Sequence, residues 1–314
     1  MADHESKGAV IAAMGANFAI AAAKLVAGLL TGSAALLAEA GHSVADTVNQ
    51  VFLLVGINLA DTTADDRHPH GYGKEAFFWS FLAAIFIFIA GAAFSMYEGT
   101  RTLVADEDHH RSEAQLLFAF GVLGMSFLFE SVSMFIAVRG LRAGARRKRW
   151  SVLKFLREAP DPTIKTVFFE DGAALTGLAV AAGGLALSEL TGNEVWDGLA
   201  SIAIGVVLVV VAWILGMQSR RLLIGAAAND ETVGHIRQAL TSFAEVEGIL
   251  RLLTMQLGSS SILVTGELQV SRDLTTDSIE ALMERIDAEI ERTVPEVSDT
   301  FWELKRARKP AAGS

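Results

Sequence analysis

Cysteine is absent from this 314-residue chain. Disulfides, thiolate metal ligands and thiol nucleophiles are therefore excluded, and any metal site has to be assembled from His, Asp, Glu or backbone oxygen. Charge is scarce as well. Asp, Glu, Lys and Arg make up 20% of residues against 52% hydrophobic, and the mean hydropathy is +0.40. A soluble chain of this length needs more polar surface, so the composition points to the membrane class. The net charge of −10 does not argue otherwise, because the charges crowd into links and the C-terminal quarter. There is no G-x-x-x-x-G-K-[ST], and neither H-E-x-x-H nor G-x-S-x-G falls within an apolar run. ATP drive and an intramembrane enzyme are thus left without support. The opening MADHESKG has no basic n-region and no small-residue cleavage site, so no removable signal peptide is expected.

What the chain does have is long apolar runs. A spanning helix needs about 20 mostly apolar residues, and six segments qualify: 8–30, 34–60, 76–100, 114–140, 166–190 and 196–224. The link between the fourth and fifth holds Arg142, Arg146, Arg147, Lys148, Arg149, Lys154, Arg157 and Lys165, and Arg220 and Arg221 follow the sixth. The links on the other side are poor in basic residues, or dilute them with Asp106, Glu107, Asp108 and Glu113. The positive-inside bias then places both termini in the cytoplasm. After Ala226 the pattern becomes that of a small soluble domain. Val233, Ile236, Leu240 and Phe243 recur with helical spacing, as do Ile279, Leu282, Met283, Ile286 and Ile290, with Asp277 and Glu280 marking the second helix's start. Ile262, Val264, Leu268 and Val270 alternate as a half-buried strand does, and 249–256 and 298–305 are further strand candidates. The expectation is a membrane all-α six-helix bundle over residues 1–226, a cytoplasmic α+β domain of order αββαβ over 227–306, and a disordered tail over 307–314.

Ionisable residues inside the apolar runs carry the chemistry. His42 and Asp46 in the second run are four apart and share one helix face. Glu170, Asp171 and Gly172 interrupt the fifth. Such groups are costly in a bilayer and normally face a partner or a water-filled cavity. Inward His and Asp side chains from two helices provide the mixed nitrogen and oxygen donors that suit zinc-like ions. A hydrogen-bond network that only ties helices together accounts for the same spacing, so two readings stand here. Lys24 is expected to snorkel to the headgroups, Asn17 to bond a neighbouring helix, and Glu39 to face an aqueous vestibule or shuttle protons.

The motifs resemble those of cation diffusion facilitators. Asn17, Lys24, Gly28 and Gly32-Ser33, followed by His42-Ser-x-x-Asp46, look like that family's first two spans. Asp65 to Glu75 resembles the loop between its second and third spans, and Trp196-Asp197-Gly198 through Gly205 its sixth. The Glu170-Asp171 pair is similar to the branch containing the ninth human zinc transporter. The resemblance implies a homodimer exporting zinc, or manganese, iron or cobalt, by alternating access in exchange for protons, with no bound cofactor. The expected setting is a bacterial inner membrane, and the basic link, read as topology beside a membrane span, leaves no nucleic-acid partner expected.

By motif, His42, Asp46 and Asp171 match the family's transport ligands, but the fourth position, one turn before Asp171, is Val167. Glu170 and Glu130 are the candidates to replace it. An unperturbed histidine titrates near pH 6.5 or so, which makes His42 the natural proton-coupling residue. Asp65, His68 and His70 cluster in six residues, as a secondary loop metal site or a solvated polar turn. Lys74 and Asp197 match a pair that joins the third and sixth spans in relatives. The C-terminal domain, with His235 alone, is expected to dimerise rather than to hold a metal cluster. The missing fourth ligand keeps a non-transporting membrane scaffold with the same fold open.

Overall fold

A computed structural model describes residues 2–104, 111–158 and 163–306. The tail expected beyond Arg306 lies outside the described residues, as do Asp106, Glu107 and Asp108. All six apolar runs are helical: α1 (Ala2–Thr31), α2 (Ala34–Ala60), α3 (Glu75–Phe86) continuing through a π-helical stretch Ile87–Ala93 into α4 (Phe94–Val104), α5 (Glu113–Arg147), α7 (Thr163–Thr191) and α8 (Val195–Ile224). A short α6 (Val152–Glu158) precedes α7. Five of these runs are long and apolar enough to cross a bilayer, and α1 adds a shorter apolar portion, Asn17–Thr31. The chain is an integral membrane protein.

Local chemistry sets the boundaries. Gly32, at φ 67°, makes the left-handed turn between α1 and α2 that a Cβ would strain. Ser33 then caps α2 by accepting the Leu36 N–H at 3.2 Å. A capping box between Ser112 and Gln115 starts α5. Helix contacts are made close by small residues: a Cβ on Gly99 of α4 would lie 2.6 Å from the Gly198 carbonyl of α8. Large apolar side chains such as Phe135, Leu128 and Trp213 stay exposed, as suits helices whose outer solvent is lipid.

Two compact units result. One holds most of the spanning helices, over residues 1–57, 78–157 and 162–219. The other holds α9 (Asp230–Thr241), β1 (Val246–Gly258), β2 (Ser261–Val270), α10 (Thr276–Thr293) and β3 (Val297–Leu304) together with residues 58–77. The αββαβ order is therefore as read from the pattern. The sheet runs β1-β2-β3, antiparallel then parallel. β2 alternates as expected, burying Ile262, Val264 and Leu268 against Ile236 and Leu240 of α9 and Leu282, Ile286 and Ile290 of α10. Thr275 caps α10, accepting the Ser278 N–H at 3.2 Å, so the helix starts just ahead of Asp277.

The inclusion of residues 58–77 in the second unit was not legible beforehand. Gly73 packs against the β1–β2 turn so closely that a Cβ there would sit 2.6 Å from the Leu257 carbonyl oxygen. His70 places Nδ1 3.4 Å from Asp299 Oδ2 on β3 and meets the Phe301 ring edge-on.

Candidate metal centre

α2 carries a polar stripe at helical spacing: Glu39, His42, Ser43, Asp46 and Asn49. Glu39, His42, Ser43 and Asn49 are buried, and the Asp46 side chain is 15% exposed. His42 Nε2 lies 3.5 Å from Asp46 Oδ2, too far for a firm hydrogen bond. The stripe meets polar groups from three other helices. From α1, Lys24 donates to Glu39 Oε2 at 2.9 Å and to Ser43 Oγ at 2.8 Å. From α7, Glu170 Oε1 accepts the Asn49 Nδ2 donor. Asp171 lies near Ser133 of α5 and interacts electrostatically with Asp46. Glu130, also on α5, interacts with both Asp46 and Asp171.

The structure thus gathers His42, Asp46, Glu170, Asp171 and Glu130 into one region of four helices. Both candidates for the fourth ligand face it, Glu170 through Asn49 of the helix that carries His42 and Asp46. Several donors there have no hydrogen-bond partner among the described residues: both ring nitrogens of His42, Asp46 Oδ1, Asp171 Oδ2, Asn49 Oδ1 and Glu39 Oε1. Buried lone pairs left unused are uncommon and call for an explanation. Nitrogen and carboxylate donors with negative charge in excess fit a divalent cation as substrate. Among the described residues, however, no three His, Asp or Glu side chains converge tightly enough to form a ready metal cage.

Two expectations need correction. Lys24 does not snorkel: it is wholly buried and ion-paired with Glu39, so Glu39 does not open onto a vestibule either. Asp197 accepts from the Ser33 hydroxyl at 2.6 Å and from the Ala34 N–H, at the start of α2. In the loop, Asp65 and His68 stay together but His70 leaves for Asp299. Asp65 Oδ1 accepts the Arg67 and His68 N–H groups at 2.9 and 2.7 Å, and Oδ2 accepts the Tyr72 hydroxyl at 2.8 Å. The His68 N–H first, then the Tyr72 hydroxyl, hold the Asp65 carboxyl below the usual carboxylate range. Those lone pairs are in use within a self-contained turn.

Asn49 and Arg111 are residues that sequence reasoning missed. Asn49 stands three residues after Asp46 and seven after His42, on the same face, and that spacing was the available signal. The Arg111 side chain is 2% exposed. It donates to the Thr31 carbonyl at 2.8 Å, Glu189 at 2.9 Å and Glu194 at 2.8 Å, so it joins α1 to both sides of the α7–α8 turn. His235 is exposed on α9.

Comparison with known proteins agrees with this architecture. Residues 10–224 match the cation efflux transmembrane domain. The chain is 31% identical to metal tolerance protein C4 of Arabidopsis thaliana over 276 residues, covering 88% of this chain and 60% of that protein. It is 31% identical to the mitochondrial proton-coupled zinc antiporter SLC30A9 of Homo sapiens over 255 residues, covering 81% and 44% respectively. It is also 25% identical to the magnetosome protein MamB of Magnetospira sp., with 85% of each covered. The chain therefore spans only about half the length of the first two of these relatives.

Proposed function

Because this chain belongs to the cation efflux family, we propose that it carries a divalent transition-metal ion, zinc foremost, across a bilayer in exchange for protons. The observation that carries this reading is the set of buried His42, Asp46 and Asp171 atoms that have no hydrogen-bond partner among the described residues. These three residues bind the ion, and Glu170 supplies the fourth ligand, since Asn49 already holds it toward α2. Glu130 is the alternative fourth ligand. Zinc is favoured by the imidazole-carboxylate donor set and by the name of the antiporter relative. More carboxylate than usual would widen acceptance toward manganese, iron and cobalt.

The chemistry of exchange follows from the ligands alone. Imidazole and carboxylate bind metal only when deprotonated, so protons and metal compete for one set of lone pairs. A bundle that presents this set alternately to either side moves the two in opposite directions. The basic residues after α5 and α8 favour a cytoplasmic side for the link and the C-terminal unit, and the membrane we propose is a bacterial inner membrane. That unit serves to dimerise the protein, a role favoured by the exposed Leu253 and Phe301 on its strands.

Purified protein reconstituted in vesicles tests the reading. Zinc flux should follow an imposed proton gradient and be abolished in Asp46→Ala, with His42→Ala and Asp171→Ala behaving alike. Undiminished flux in Asp46→Ala would sink the site. Flux indifferent to the proton gradient leaves a uniporter, and no flux of zinc, manganese, iron, cobalt or cadmium in the native protein leaves a scaffold. Glu170→Gln should weaken zinc binding by about tenfold or more, and Glu130→Gln by less. The reverse order transfers the fourth ligand to Glu130.

A further inference from the structure

Lys24 is a buried charged group of the bundle that the proposed ligand set leaves unused. It is completely buried, an expensive place for an ammonium group unless paired. Its Nζ donates to Glu39 Oε2 and to Ser43 Oγ, at 2.9 and 2.8 Å. Ser43 adjoins His42 in the chain and lies one turn from Asp46. Glu39 uses only one oxygen for Lys24. Its Oε1 has no hydrogen-bond partner among the described residues and crowds Gly177 of α7, where a Cβ would collide with it. Electrostatic interactions join Lys24 to His42 and Asp46 on α2 and to Glu130 on α5.

We propose that Lys24 is a resident cation that tunes the transport site, its fixed charge beside His42 keeping metal affinity low enough for release. The inference rests on the ligand assignment given above. Glu39, Asp46, Glu130, Glu170 and Asp171 bring five carboxyl groups to one region. So much negative charge in a poorly screened interior holds a divalent ion tightly, and a carrier turns over only if its site is strong enough to load and weak enough to empty. A lysine held in place by Glu39 and Ser43 supplies a compact opposing charge that cannot leave with the substrate. Ser43 passes the constraint to the helical turn that carries His42, so Lys24 acts as a positioning and affinity-setting residue and is not itself a ligand.

The alternative role, an inert staple between α1 and α2, gives different signs. Zinc binding to the purified full-length protein, together with zinc flux in vesicles against zinc concentration, separates the two. For Lys24→Met the expected result is binding about tenfold tighter, or roughly 1.4 kcal/mol, with both KM and kcat lowered. Glu39→Gln retains size and an acceptor for Lys24 but removes a negative charge, so binding should weaken by a similar factor. The double variant, whose local charge equals the native one, should return to within about threefold of native affinity. Lys24→Arg should remain close to native.

A staple would instead lower thermal stability in both single variants, with stability recovered in the double one, while zinc affinity in Lys24→Met does not rise, and that result overturns the proposal. Native or weaker zinc affinity in Lys24→Met also overturns it. Where Lys24→Met yields no folded protein, unchanged affinity in Glu39→Gln does so alone. Asp46→Ala run alongside distinguishes the two levels: native zinc affinity there means the ligand assignment has failed, whatever Lys24 does.

Discussion

Asn49 gives the sharpest test of whether Glu170 holds the ion. It is completely buried on α2, and its Nδ2 donates to Glu170 Oε1 on α7. Removing one partner of a hydrogen bond to a charged group costs about 1.5–3 kcal/mol in soluble proteins. Between membrane helices the average measured coupling is nearer 0.6 kcal/mol, with a maximum of about 1.7, because the partly unfolded helices find other partners. The second scale applies here, so Asn49→Leu should destabilise the bundle by roughly 1 kcal/mol.

Asn49→Asp is far more telling, because it sets a carboxyl group against Glu170. Two unit charges about 4 Å apart repel by roughly 4 kcal/mol at an effective dielectric constant near 20, a cost reduced when one carboxyl takes up a proton. The metal-free variant should therefore unfold at a distinctly lower temperature than Asn49→Leu. Zinc reverses the sign. A divalent ion touching Glu170 turns the extra carboxylate from a repelling neighbour into a further attraction. The thermal shift produced by zinc should then be larger in Asn49→Asp than in native protein, and the added stabilisation should disappear in Asn49→Asp/Glu170→Gln. Thermal unfolding in detergent, with and without zinc, reads all of this. A zinc-induced shift no larger in Asn49→Asp than in native protein refutes Glu170 as a ligand.

Arg111→Leu should destabilise the bundle by about 3 kcal/mol or more, because it leaves Glu189 and Glu194 beside each other without their cation; a loss below roughly 1 kcal/mol in thermal unfolding contradicts that role. Tyr72→Phe removes a donor to the Asp65 carboxylate. The folded Asp65 titrates below its unfolded value, so its contribution to stability is present above the unfolded pKa of about 3.9 and is lost as pH falls through the lower folded value. Tyr72→Phe should move the folded value up and narrow that acidic window, and a carboxyl titration by NMR that does not move excludes the contact.

The membrane bundle was legible because a spanning helix announces itself in about 20 apolar residues irrespective of what it packs against. The C-terminal order was legible for a related reason: Ile262, Val264 and Leu268 alternate while Leu282, Ile286 and Ile290 keep helical spacing, and both periods are local. Lys24 was misread even though the signal was present. It stands eight residues before Gly32 and Glu39 seven after it, so folding the chain back at that turn brings them to one height. Snorkelling suits a lysine without a partner at its own depth. Asn49 shared a helix face with His42 and Asp46 but carries no charge, and charge was what drew attention. Arg111 is about 80 residues from Thr31, Glu189 and Glu194, and His70 more than 200 from Asp299; pairings of that range have no local signature. The same holds for Asp197, whose acceptance of Ser33 and Ala34 depends on which helix end lies beside it.

The π-helical stretch Ile87–Ala93 has a consequence in residue arithmetic. Its hydrogen bonds skip one more residue than those of an α-helix, so the third span contains, in effect, one inserted residue. A π-helical residue turns less than an α-helical one, so the wide turn absorbs the extra residue, and deleting one residue with a return to α-helical winding would leave everything beyond it facing nearly as before. Straightening the stretch to α-helix without a deletion would instead turn everything beyond it by about 100°. Ser95, whose carbonyl accepts the Ser201 hydroxyl at 2.8 Å, and Gly99, fitted against Gly198 and Ile202, would rotate off α8 together. A one-residue deletion in this stretch is therefore a change of length rather than of facing, and the wide turn between Phe86 and Phe94 acts as the phase setting of the whole span.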